Sequence, residues 1–157
     1  MERITNILSS SHSQINKESL WTISNLAACG PQFVNIIVSH KPLMNRVLML
    51  AHSQNISIMI EALYAIVNCC TLGSYLDQRH IFQQDSGLVI EVLIQKGLKL
   101  KNFSLVQDIV QSLIFLLKTD ESFNCIGQDG SVTRKMKECN AQMYFATLKY
   151  HDNEKVF

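Results

Sequence analysis

Residues 16–25 read NKESLWTISN. This stretch holds the single tryptophan of the chain, Trp21, with Glu18 three residues before it and Asn25 four after it. Residues three and four apart on a helix share a face, so the carboxylate, the ring and the amide form one stripe. Leu20, Ile23 and Ala27 form a second stripe beside it, at the i, i+3, i+7 spacing of a helix that buries one side. Residues 57–70, SIMIEALYAIVNCC, repeat both patterns. Glu61, Tyr64 and Asn68 make the polar stripe; Leu63, Ile66 and Cys70 make the apolar one. Tyr64 follows Trp21, and Asn68 follows Asn25, by the same 43 residues. A period of about 40–47 built only from helices belongs to an armadillo or HEAT solenoid.

A third copy is weaker. SLVQDIVQSLIFLL, residues 104–117, aligns when Asp108 is set against Glu61; Gln111 then stands at the ring position and Phe115 at the amide position. Between the long helices the chain reads as two shorter ones each time. PQFVNIIVSH and PLMNRVLMLAHS precede the second copy, and SYLDQRHIFQQ and GLVIEVLIQKGLKL precede the third. Gly30, Gly73 and Gly87 punctuate these units. Three helices per unit favour armadillo over two-helix HEAT. The expected fold is all-α, a right-handed armadillo-repeat α-solenoid of about three repeats plus a partial fourth. Its expected divisions are 1–30 (end of one repeat), 31–73 and 74–121 (full repeats) and 122–157 (partial). From Asp120 on, DESFNCIGQDGSVTRKMKE reads as a loop and then a short helix, and NAQMYFATLKYHD as another helix.

Composition fits this reading. Of 157 residues, 47% are hydrophobic, enough for a packed core, and 17% are charged, too few for a disordered chain. The net charge of +1 gives no general attraction to nucleic acid or anionic membrane. No apolar run reaches the roughly 18 residues of a membrane span, and the first residues lack the apolar core of a signal peptide. A soluble, intracellular chain is expected. The cysteines are Cys29, Cys69, Cys70, Cys125 and Cys139. They make no C-x-x-C pair and have no metal-ligand spacing with the histidines, so they are read as reduced thiols, without metal or cofactor. No base and nucleophile converge in the pattern, and no enzyme activity is expected.

The long third helices of a solenoid line its concave surface. Packed helices lie about 8–10 Å apart and an extended peptide rises about 3.3 Å per residue, so one repeat spans two to three peptide residues. An asparagine amide donates to and accepts from a peptide backbone whatever its sequence. An indole face attracts a Lys or Arg and packs its stem, and a carboxylate reads the cationic end. A lone Trp on a helix is more often core, and a lone Glu is usually solvated surface. It is the repetition of the stripe in one register that points to a ladder for an extended peptide with regularly spaced Lys or Arg.

The same residues carry a resemblance. NKESLWTISNLAACGPQ resembles importin-α, whose armadillo repeats carry K-E-x-x-W-x-x-S-N followed by small residues. IMIEALYAIVNCCTLGSYLDQ is similar to the next importin-α repeat, with Tyr64 where the family has tryptophan and Val67 where it has a polar residue. SLVQDIVQSLIFLLK resembles the repeat after that, and KECNAQMYFATLKYHDNEKVF the opening of the last one. The resemblance covers almost the whole chain and implies the C-terminal part of an importin-α, roughly its seventh repeat to the start of its tenth. It implies binding of nuclear localisation signals in the minor half of the groove. The matching positions are Glu18, Trp21, Ser24 and Asn25 in one repeat and Glu61 and Asn68 in the next, with Tyr64 at the family's ring position. The family works between cytoplasm and nucleus, with basic cargo, importin-β and an export receptor as partners; the importin-β-binding segment has no counterpart in these residues. A solenoid cut between repeats is expected to expose apolar ends and to self-associate. The competing expectation is another armadillo scaffold, catenin-like, with a different extended partner. A catenin-like groove is basic and takes acidic peptides, whereas Glu18, Glu61 and Asp108 in register favour a cationic one.

Overall fold

The computed structural model describes residues 1–84, 87–124 and 131–148. Among these residues all regular structure is helical. Helices α1 (Glu2–Ile7) and α2 (Ser13–Ala28) come first. They are followed by α3 (Pro31–Ser39), α4 (Lys41–Leu50) and α5 (Ile56–Leu72). The next triplet is α6 (Tyr75–Gln84), α7 (Leu88–Gln95), a 3-10 turn over Gly97–Lys99, and α8 (Phe103–Asn124). Two short helices close the described chain, α9 (Ser131–Glu138) and α10 (Ala141–Leu148).

Local chemistry sets most of the boundaries. Gly30 takes φ +130°, which an L side chain rarely adopts, and Pro31 then opens α3 at a position where its missing N–H is not needed. The His40 Nδ1 accepts the Leu43 N–H at 3.3 Å to start α4. The Asn55 Oδ1 accepts from Ser57 and Ile58 to start α5. Ser74 and Asp77 form a capping box on α6: Asp77 Oδ2 accepts the Ser74 N–H at 2.9 Å, and Ser74 Oγ accepts the Asp77 N–H at 3.2 Å. Gly87 opens α7 in the left-handed region, at φ +82°. Asn102 Oδ1 accepts the Leu105 N–H at 3.2 Å and caps α8.

Each helix packs on its counterpart one unit further on. Helix α4 packs on α1, α5 on α2, and α6 on α3; α7 then packs on α4 and α8 on α5. This nearest-neighbour stacking defines a solenoid. Its core is one continuous apolar cluster. Leu20, Ile23 and Ala27 of α2 lie fully buried beside Leu63, Ile66 and Cys70 of α5, as the periodicity predicts. Leu105, Ile109 and Leu116 continue the cluster on α8. Polar ties cross from unit to unit as well. Arg46 Nε donates to the Leu8 carbonyl at 2.8 Å, and Asn35 Nδ2 donates to Asp77 Oδ1 at 2.8 Å. The buried Gln78 donates to the Cys70 carbonyl at 2.8 Å and accepts from the Thr119 hydroxyl, joining α5, α6 and α8.

Two sequence expectations need correction. The loop expected from Asp120 is helical to Asn124, because α8 runs on past the 121 boundary. Asp120 does not end the helix. Its carboxylate accepts the Val132 N–H at 2.9 Å and the Ser131 hydroxyl at 3.1 Å, so it caps the following helix from a distance. The helix α1 was not anticipated; six residues with only Ile4 and Ile7 in register make too short a pattern. Part of the loop expected after Asp120, and the residues that follow α10, lie outside the described residues, as does Cys125.

Candidate functional site

Helix α2 packs along α5 more extensively than any other pair. Both long helices turn their polar stripes to the same side, because their apolar stripes share one core. Glu18 is exposed and accepts from Gln14 Nε2 at 2.6 Å on its own helix. Trp21 is 55% exposed, so its indole is not a core residue. Asn25 is exposed, and its amide makes no hydrogen bond among the described residues. One turn of the ladder therefore presents a carboxylate, a bare indole and a free amide to solvent together.

The second turn differs. Glu61 and Tyr64 are half-buried. Burial pushes the Glu61 carboxyl above the ordinary range; Lys17 opposes this and the Glu18 carboxylate adds to it. The two carboxylates thus repel from neighbouring helices, and a cation placed between them would relieve the repulsion. Asn68 spends its donor inside the protein. Its Nδ2 donates to the carbonyl and to the hydroxyl of Ser24, both at 3.0 Å. Ser24 is 7% exposed and is the receiving half of this tie. The Tyr64 hydroxyl accepts from Asn102 Nδ2 at 3.3 Å, linking α5 to the start of α8.

In the third helix Asp108 and Gln111 are exposed and Phe115 is half-buried. Gln14, Lys17 and Asn102 belong to the same surface, and sequence reasoning did not single them out. The helix-start pattern NFSLVQD marks Asn102 as a cap, but nothing in the sequence marks its reach to Tyr64. The thiols lie elsewhere in character. Burial, and then the charge of Asp77, push Cys69 up to about 12, and burial raises the adjacent Cys70 further. Both stay protonated and inert. No helix among the described residues is long and apolar enough to cross a membrane.

No protein-family model and no curated protein matches the sequence. Among solved structures the chain is similar to a designed armadillo repeat protein in complex with the peptide (KR)4, at 15% identity and a TM-score of 0.59. The match covers 98% of this chain and 75% of that one. At this identity the likeness speaks for the fold alone. Stacked helical triplets and this neighbour together make the chain an all-α solenoid of the armadillo type.

Proposed function

We propose that the chain binds an extended, Lys/Arg-rich peptide along the α2–α5 face, and that it serves as the signal-reading part of a nuclear-import adaptor of the importin-α kind. The observation that carries this reading is the outward-facing set Glu18, Trp21 and Asn25, with Glu61 close enough to Glu18 to feel its charge. A 55% exposed indole leaves its face open to a partner. Beside two carboxylates, the partner it suits is a cation on a flexible stem. The free Asn25 amide supplies the donor and acceptor that an extended backbone needs.

On this reading the work is binding, without catalysis, and the place of work is the cytoplasm and nucleus. Cargo with basic localisation signals would be the ligand, and importin-β and an export receptor the partners of a whole adaptor. The designed neighbour holds a Lys/Arg-rich peptide, which lends support to a basic ligand for this fold. The other reading, a scaffold for an acidic extended peptide, conflicts with the three carboxylates in register at Glu18, Glu61 and Asp108. Calorimetric titration with (KR)4, with a lysine-based localisation signal and with an acidic peptide of equal length tests the choice. Saturable binding of the basic peptides is expected. Binding of the acidic peptide alone would refute the proposal.

A further inference from the structure

The Tyr64 hydroxyl oxygen has a defined partner. Asn102 caps α8 through Oδ1, which accepts the Leu105 N–H at 3.2 Å. This decides which end of the amide faces which way: Nδ2 must be the end that meets Tyr64, at 3.3 Å. Tyr64 is therefore the acceptor in that contact. Its own O–H proton has no acceptor among the described residues. Four residues on, Asn68 has the opposite shortage. Its Nδ2 is turned to the Ser24 carbonyl and hydroxyl. At the second turn of the ladder, the donor facing the groove is thus on the ring and not on the amide.

We infer that Tyr64, positioned by Asn102, donates its hydroxyl proton to a carbonyl oxygen of the bound peptide, and that the ring position of this turn reads an acceptor where the ring position of the first turn reads a cation. The inference rests on the proposed peptide-binding function. A half-buried ring held at its hydroxyl offers little free face for a lysine stem. A lysine ammonium has only donors, so it would leave the Tyr64 O–H proton without an acceptor. A carbonyl oxygen accepts that proton. It can come from the main chain of any extended peptide or from a Gln or Asn side chain standing in place of one Lys. Asn68 Oδ1 remains available to accept a peptide N–H, so the two residues divide between them the work that Asn25 does alone.

The test is a calorimetric series on the whole chain with (KR)4 and a set of single Lys→Gln peptides. Tyr64→Phe removes the proton and keeps the ring; it should weaken (KR)4 about three- to tenfold, the worth of one neutral hydrogen bond. Equal weakening of every peptide assigns the acceptor to the main chain. Weakening confined to one Gln peptide, which the parent binds as well as (KR)4, assigns it to that side chain. Asn102→Asp keeps the cap but turns the partner into an acceptor that takes the hydroxyl proton for itself. Its added charge attracts a basic peptide, so its effect should be about threefold more favourable in the Tyr64→Phe background than in the parent. Tyr64→Phe binding like the parent, or Tyr64→Trp binding more tightly than the parent, overturns the inference and leaves the peptide-binding reading intact. A parent chain that binds none of these peptides overturns both.

Discussion

Trp21 and Asn68 both belong to the polar stripes and yet carry different duties. Trp21 is more than half exposed; Asn68 ties α5 to α2 through Ser24. Their alanine variants should therefore separate cleanly. Trp21→Ala should leave the melting temperature within about 2 °C of the parent and cost about 2 kcal/mol of basic-peptide binding, roughly thirtyfold, as a central anchor does. Asn25→Ala should cost about 1–3 kcal/mol if the peptide's polar groups stay buried against it. Asn68→Ala should instead lower stability by about 1–2 kcal/mol, because it leaves the Ser24 acceptors without a donor. Urea melts and titrations on the same protein samples distinguish the two outcomes. A stable Asn68→Ala chain that has lost all binding would contradict the structural role.

At the scale of the element, α6 depends on an acid that is almost buried. Asp77 is 4% exposed, and burial alone would raise its pKa. The hydrogen bonds from the Ser74 hydroxyl at 2.6 Å, from Asn35 at 2.8 Å and from the Ser74 N–H at 2.9 Å outweigh that, and hold the carboxyl below its ordinary value of 3.8. A lowered pKa means that the unfolded chain takes up the proton first as pH falls. The stabilisation is therefore complete above the unfolded value near 3.8 and is lost as pH drops through the folded value. Asp77→Asn should be clearly less stable than the parent at pH 7, and the gap should narrow as pH falls from 3.8 through the folded value in thermal melts followed by circular dichroism. A constant gap across that range would show that the charge is not what the cap uses.

Over the whole molecule, the question is how far the ladder runs. Helix α8 continues the stack, but its stripe offers Asp108, Gln111 and Phe115. Phe115 cannot bond a peptide backbone, and an exposed carboxylate alone gives about 0–1 kcal/mol. Asp108→Ala should then change basic-peptide affinity less than twofold, while Glu61→Ala weakens it several-fold. Both effects should shrink as salt rises, since the contacts are partly ionic. An Asp108→Ala loss as large as that of Glu61→Ala would extend the groove onto α8.

The fold and the two polar stripes were legible in the sequence because both are periodic. Buried residues at Leu20, Ile23 and Ala27 recur as Leu63, Ile66 and Cys70, and a helix has one way to bury such a stripe. That alone places Glu18, Trp21 and Asn25 on the same side as Glu61, Tyr64 and Asn68. The partners of those side chains were not legible. Asn68 to Ser24 spans 44 residues and Asn102 to Tyr64 spans 38, and neither distance is the 43-residue period. Such contacts depend on how far one helix slides and turns against the next, which is set by the packing of the whole core. Likewise, Asp120 reads locally as the end of a helix, and only the docking of α9 makes it the cap of another. The sequence determined which residues share the polar face of the long helices; the tertiary structure decided which of their donors and acceptors are spent inside the protein, because only the packing of one helix on the next brings Asn68 to Ser24 and Asn102 to Tyr64.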